Sequence, residues 1–352
     1  MKKSIIKFAA TAAIGLGLSL GVSGVQAQSP IVINAVGTWG NLQNFKKFEG
    51  PFWREQVSKK TDGAIVGQIK PLTELGLKGF EVMRLLKIGV YDYVYGLFTY
   101  VASEDAVFEG VDLSSIIQDM PTQRKVADAY FETLDKAFAK YYKAKLLQIY
   151  TFPSQMLFCK PSVASIGDLK GKKIRVYSTT LGDFVEGVGG TSVTVPFAEV
   201  VPALDKGVAD CGITGTMPAY AAKWYQVATH MYSMRVGMGV SFGAISLKKW
   251  NSLGPENQKK LKAALDQMTN DMWDFNKTLD AAAISCLSGG ECSYGKAAKM
   301  THIKPSGDDL KARNKIAEEV ILARWAKRCG PACTDNWNKT IGPLVGLKAA
   351  AK

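Results

Sequence analysis

Apolar positions along the chain fall into short runs and helical stripes that alternate. Ile31-Val32-Ile33-Asn34-Ala35-Val36 is a short apolar run ended by Gly37 and Gly40, and it predicts a strand. Apolar or aromatic residues at 45, 48, 52, 53 and 57 predict a helix over Phe45 to Lys60. Asp62-Gly63 marks a turn, and Ala64 to Ile69 predicts a second strand closed by Pro71. Gly79 to Ile88 has helical spacing through Phe80, Met83, Leu85 and Leu86, and Gly89 opens a strand over Tyr91 to Phe98. Such alternation argues for a parallel sheet covered by helices on both faces.

The pattern recurs further on. Pro121 to Tyr142 predicts a long amphipathic helix and Leu146 to Phe152 a strand. Lys173 to Val176, Ser192 to Val195 and Ala209 to Thr214 predict strands, with helices over Leu181 to Val188 and Phe197 to Lys206 between them. The last third turns helical, over Pro255 to about Leu287, Ser306 to Arg328 and a short piece around Asn336. Two βαβ blocks with trailing helices fit an α/β protein of two lobes with mixed or parallel sheets. No internal repeat, low-complexity tract or Pro/Ser-rich linker occurs, so the lobes are expected to be joined by strands rather than by a tether.

Composition narrows the class. The chain has 352 residues, 47% apolar and 21% charged, which excludes disordered, collagen-like and polytopic membrane proteins. Its formal charge is +13, of which Lys2, Lys3 and Lys7 supply three within the acid-free first 27 residues, leaving +10 for the rest. Those lysines, the apolar stretch Phe8 to Val22 and the small-x-small pattern Val25-Gln26-Ala27 read as an export signal over residues 1–27. No cysteine follows the cleavage site, so no lipid anchor is expected. The mature chain should be soluble, exported to the periplasm and begin near Gln28.

Export changes how the cysteines read. Cys286 and Cys292, and Cys329 and Cys333, flank Gly289-Gly290 and Gly330-Pro331. Zinc ligands use similar spacing, but an oxidising compartment favours disulfides. Four cysteines allow three pairings, and the turn residues inside each pair favour the two local ones. Cys159 and Cys211 lie in apolar contexts and read as small buried hydrophobes.

Several chemistries are weak. Gly239-Val240-Ser241-Phe242-Gly243 matches a nucleophile elbow, with His302 and Asp274 or Asp280 as conceivable partners. An elbow needs a strand-to-helix turn, whereas Ala244-Ile245-Ser246-Leu247 continues as strand, so chance is the better account. His230 and His302 stand alone as metal ligands; they read as a half-buried helix-end residue and a surface residue. No phosphate-binding glycine fingerprint follows a strand, and basic residues are interspersed with acids, so neither a nucleotide cofactor nor nucleic acid is expected. Arg175 remains. It alternates with Ile174 and Val176 and so projects to the opposite face of its strand, near where open α/β sheets bind ligands. Its planar fork suits a carboxylate. The pattern by itself slightly favours a surface arginine paired with an acid.

The stretch Asp168-Leu169-Lys170-Gly171-Lys172-Lys173-Ile174-Arg175-Val176 resembles the signature of the solute-binding proteins of TRAP (tripartite ATP-independent periplasmic) transporters. Val195-Pro196-Phe197-Ala198-Glu199 running to Gly207-Val208-Ala209-Asp210 is similar to that family's next block. Leu72-Thr73-Glu74-Leu75-Gly76 and Gly89-Val90-Tyr91-Asp92 resemble its N-terminal elements, in the same order and spacing. The resemblance implies a two-lobed binding protein, not an enzyme, that closes like a flytrap on a small organic acid and hands it to a membrane permease. It places the carboxylate-clamping arginine on Arg175, a ligand-contacting aromatic on Phe197 and a polar contact on Thr214, with Tyr177 and Ser178 lining the cleft. Gln155 stands where sialic-acid receptors carry a second arginine, which argues for a smaller or less charged solute. With Trp39 as a further wall, the aromatics would suit a flat or aromatic 2-oxo acid. By analogy, one lobe would hold 28–152 plus 241–281 and the other 153–240 plus 282–352. The protein would act as a monomer without a cofactor. The rival readings are a secreted serine hydrolase using Ser241 and a surface scaffold that binds no small molecule.

Overall fold

The computed structural model describes residues 29–350; the export signal read over 1–27 lies outside the described residues. Two sheets organise the molecule. The first contains β1 (Ile31–Gly37), β2 (Ile65–Pro71), β3 (Tyr93–Leu97), β4 (Ala144–Thr151) and β10 (Val240–Ser246), in the order β2-β1-β3-β10-β4. The second contains β5 (Gln155–Cys159), β6 (Lys173–Val176), β7 (Thr191–Thr194), β8 (Cys211–Gly215), β9 (His230–Tyr232) and β11 (Thr301–Ile303), in the order β11-β9-β5-β8-β6-β7. The N-terminal alternation produces parallel pairing, since β1 lies parallel to both β2 and β3. Neither sheet is purely parallel. β10 arrives from the second sheet and inserts antiparallel between β3 and β4, and β5 runs antiparallel to both β8 and β9.

The chain passes between the sheets three times, after β4, after β9 and, through helix Gly254–Ser288, after β10, and the first two crossovers lie side by side. Phe152 donates its N–H to the Gly239 carbonyl (3.1 Å), Gln155 to that of Gly237 (2.8 Å), and Val236 back to that of Gln155 (3.0 Å). Asp112 fixes the second crossover from below, its Oδ2 accepting the Val240 N–H at 2.9 Å.

Helices cover the sheets as the periodicity predicts. Helix Met120–Tyr142 starts on an Asp119 cap that accepts the Thr122 N–H (2.8 Å) and stops at Lys143, which is left-handed at φ 51°. Helix Gly254–Ser288 ends at Gly289 and spans both halves. Its Trp273 and Asn276 donate to the Ile149 and Thr151 carbonyls of β4, while Asp280 holds Ser154 of the first crossover and Thr216 beyond β8. The predicted helix over Phe45 to Lys60 is present but carries wide π-turns on either side of Pro51, whose missing N–H interrupts the regular ladder.

Three disulfides occur: Cys286–Cys292, Cys329–Cys333 and Cys159–Cys211. The third corrects the reading of Cys159 and Cys211 as isolated buried hydrophobes. They face each other across the antiparallel pair β5/β8 with Cα atoms 4.0 Å apart, a register that no local pattern discloses. His230 and His302 also differ from expectation. Both are half-buried on paired strands, β9 and β11, rather than at a helix end and on the surface.

Candidate functional site

Arg175 sits on β6 between Ile174 and Val176, and all three are buried. It is therefore not a surface arginine. Its Nε donates to the Val195 carbonyl at 2.8 Å and its Nη1 to the Ile213 carbonyl at 2.8 Å, which orients the guanidinium from the residue that follows β7 and from β8. Those bonds spend two of the five N–H groups. Nη2 is buried and has no partner, and no carboxylate pairs with Arg175 among the described residues. The cation lies 5.3 Å from the Tyr177 ring centroid and 5.8 Å from that of Trp224. Burial pulls its pKa below the ordinary arginine value, opposed by Tyr100 and Tyr177.

Arg175 opens onto a small cavity between the sheets, whose empty volume, counting the space open to solvent, is about 320 Å³. Six sequence-predicted residues line it together: Trp39, Gln155, Arg175, Tyr177, Phe197 and Thr214. Trp39 follows β1 and meets Tyr100, Phe152 and Phe197 edge to face at 5.9, 6.2 and 5.4 Å. Phe197 begins a short 3₁₀ turn after Pro196, whose fixed φ aims the ring inward. Gln155 is held in place by its Nε2, which donates to the Pro153 and Met238 carbonyls at 2.9 and 3.2 Å. Gly239 completes the wall at φ 69°, where an added Cβ would come within 2.9 Å of that same Nε2.

Ser178 is not brought into this cavity. Its hydroxyl accepts the Leu181 N–H at 3.2 Å and caps helix Thr179–Gly187. Sequence reasoning missed Tyr100, Phe152, Leu42, Leu97 and Pro218 as lining residues. Phe152 follows β4 directly, and Tyr100 ends the 3₁₀ turn Phe98–Tyr100 that follows β3. The rule that ligands bind beyond strand ends in open α/β sheets was the available signal for Tyr100. Both tyrosine hydroxyls of the wall are held neutral, burial raising the pKa of Tyr100 and pushing that of Tyr177 well above 10.0. Among the described residues that line the cavity, Arg175 thus carries the only formal charge.

The hydrolase reading fails on geometry. Ser241 lies inside β10, paired with Leu97 and Tyr150, and not on a strand-to-helix turn, while His302 belongs to β11 of the other sheet. No cluster of metal-ligating side chains occurs among the described residues.

Two α/β lobes linked by paired crossovers, with a mostly apolar cavity between them and one buried cation on its wall, have the architecture of a solute receptor. The chain belongs to the bacterial extracellular solute-binding proteins of family 7, whose model matches residues 41–323, and is a TRAP solute-binding protein that works outside the cytoplasm. Solved structures share the fold at low identity. A Bordetella pertussis extracytoplasmic solute receptor binding pyroglutamic acid is 19% identical with a TM-score of 0.79, covering 88% of this chain and 99% of its own. A TRAP solute-binding protein from Desulfovibrio salexigens with bound orotic acid is 15% identical with a TM-score of 0.80, covering 89% and 99%. One from Pseudomonas aeruginosa with bound L-malate is 14% identical with a TM-score of 0.74, covering 82% and 98%. No helix among the described residues is long and apolar enough to cross a membrane.

Proposed function

We propose that the cavity captures a small organic acid through its carboxylate, paired with Arg175, and that the loaded protein delivers it to the membrane permease of its transporter. The observation that carries this reading is Arg175 itself: fully buried, held by two carbonyls, with Nη2 unpartnered and no acid beside it. A buried cation left in that state is costly, and a carboxylate returns charge-assisted bonds from Nη2 and the second N–H of Nη1. The ligands of the three structural relatives, pyroglutamic acid, orotic acid and L-malate, are all small acids. Trp39, Tyr177 and Phe197 give walls suited to a flat or aromatic acid, 2-oxo acids among them, and Gln155 supplies no second cation for a larger sugar acid. In this reading the lobes comprise 28–152 plus 241–281 and 153–240 plus 282–352, the crossovers act as the hinge, and the protein works as a monomer.

The test begins with mass spectrometry of the small molecule released on denaturing the purified protein, followed by titration calorimetry with that acid. Arg175→Lys keeps the charge but loses the fork and should weaken binding by roughly tenfold or more. Arg175→Ala should cost on the order of 3–5 kcal/mol with the fold retained. Equal binding by Arg175→Ala and the parent removes the site assignment.

A further inference from the structure

A second buried donor faces the same cavity. Trp39 is almost fully buried, lines the cavity, and its Nε1 has no partner. The indole N–H of Trp224 is also unpartnered, but Trp224 packs behind Phe197 and Arg175 and does not line the cavity. Trp39 follows β1 of the first sheet and Arg175 belongs to β6 of the second, so each half of the molecule offers unspent N–H donor capacity to the cavity. Gln155 has the opposite character. Both partners of its Nε2 are carbonyls, which only accept, so the amide nitrogen is committed and the unspent capacity is that of Oε1, an acceptor. No Lys, His, Asp or Glu among the described residues lines the cavity. A buried carboxylate behind the wall, that of Asp112, is engaged by the Val240 N–H and would repel a second anion.

From this arrangement we infer that the site selects a monocarboxylate carrying one uncharged acceptor, a carbonyl or ring oxygen, that takes the Trp39 indole N–H, and that it discriminates against dianions. The inference rests on Arg175 being the carboxylate anchor. A ligand with both groups ties the second sheet through Arg175 and the first through Trp39, so its two ends favour the closed arrangement together. A donor on the ligand body, such as a lactam N–H, would meet the free Gln155 oxygen. A dicarboxylate brings a second charge into a space with no second cation and an apolar wall.

A five-carbon probe set tests this by calorimetry on the full mature chain: 2-oxopentanoate, 4-oxopentanoate and 5-oxoproline against pentanoate and pentanedioate. At least one of the three oxo acids should bind tenfold or more tightly than pentanoate, and pentanedioate should bind more weakly than that acid. Trp39→Phe keeps an aromatic wall and removes the donor. It should weaken the preferred oxo acid about tenfold while changing pentanoate less than twofold. The Trp39 indole N–H resonance, identified by its loss in the variant, should shift on titration with the oxo acid and give a readout even where the variant is poorly folded. Tighter binding of pentanedioate, no binding by any oxo acid, equal losses for both acids in Trp39→Phe, or an unmoved indole resonance would each overturn the inference. Arg175→Ala separates the two readings. If it abolishes binding while Trp39→Phe leaves selectivity untouched, only the role of Trp39 fails; if it changes nothing, the anchor itself fails.

Discussion

Arg175 owes its place to the residues on either side of it. Ile174 and Val176 occupy alternate positions of a four-residue strand, so the side chain between them projects to the other face. That much is legible in the sequence. Its burial is not, because the Val195 and Ile213 carbonyls that hold it come from neighbours whose pairing with β6 is a tertiary fact. Asp112 was invisible for the same reason, a lone acid in an apolar stretch whose partners lie more than a hundred residues away. Its carboxylate is buried, and loss of hydration raises its pKa from 3.8 to about 6 against the pull of the Val240, Met238 and Gly239 N–H groups. The folded chain therefore keeps a proton that the unfolded chain has released between about pH 4 and 6. The stability Asp112 contributes is present below that window and is lost as pH rises through it. Asp112→Asn retains an oxygen for the Val240 N–H and cannot ionise. Relative to the parent, the variant should gain about 1 kcal/mol in unfolding free energy between pH 5 and 7.5. Denaturant melts of both proteins at the two pH values measure that difference, and a pH-independent gap would show that Asp112 is not the titrating group.

Among elements, long periodic segments are the legible ones. The helices over Met120–Tyr142 and Gly254–Ser288 and the strands of the first block follow from spacing alone. β9 and β11 have three residues each, too few to show a period, and β5 is a short apolar run with no alternation. Missing β5 hid the disulfide between it and β8. That bond spans 52 residues of sequence, against 6 for Cys286–Cys292 and 4 for Cys329–Cys333. By the chain-entropy relation the long loop is worth about 4 kcal/mol and each short one about 2 kcal/mol. Replacing Cys159 and Cys211 by Ala should therefore lower the unfolding free energy roughly twice as much as replacing either C-terminal pair. Non-reducing peptide maps establish the pairing, and denaturant melts of the three double variants give the order. Equal losses in all three would mean that the reduced chain already holds β5 against β8.

At the scale of the whole molecule, the C-terminal helices are not confined to one half. Arg328 places its Nη2 2.8 Å from Glu109, which follows β3, and 2.9 Å from Asp183, on the helix that follows β6. Arg324 reinforces the second side through Asp183 and Glu186 at 3.2 and 2.6 Å. Glu109 and Asp183 are both buried, and burial raises the pKa of Glu109 despite Arg328. Without the guanidinium, two carboxylates would face each other in poor solvent contact, a repulsion relieved by moving the halves apart. The flytrap reading then makes a joint prediction. In the parent, saturating acid should reduce the radius of gyration measured by small-angle scattering, and an unchanged value would count against closure. In Arg328→Ala, which lies away from the cavity, the ligand-free radius should increase and the affinity should fall on the order of tenfold, because the acid must supply closing free energy that the ion cluster no longer provides. The loaded radius should match that of the loaded parent. A variant with a lower unfolding midpoint but unaltered affinity and scattering would show instead that Arg328 serves stability alone, and the crossovers would have to set the balance between open and closed by themselves.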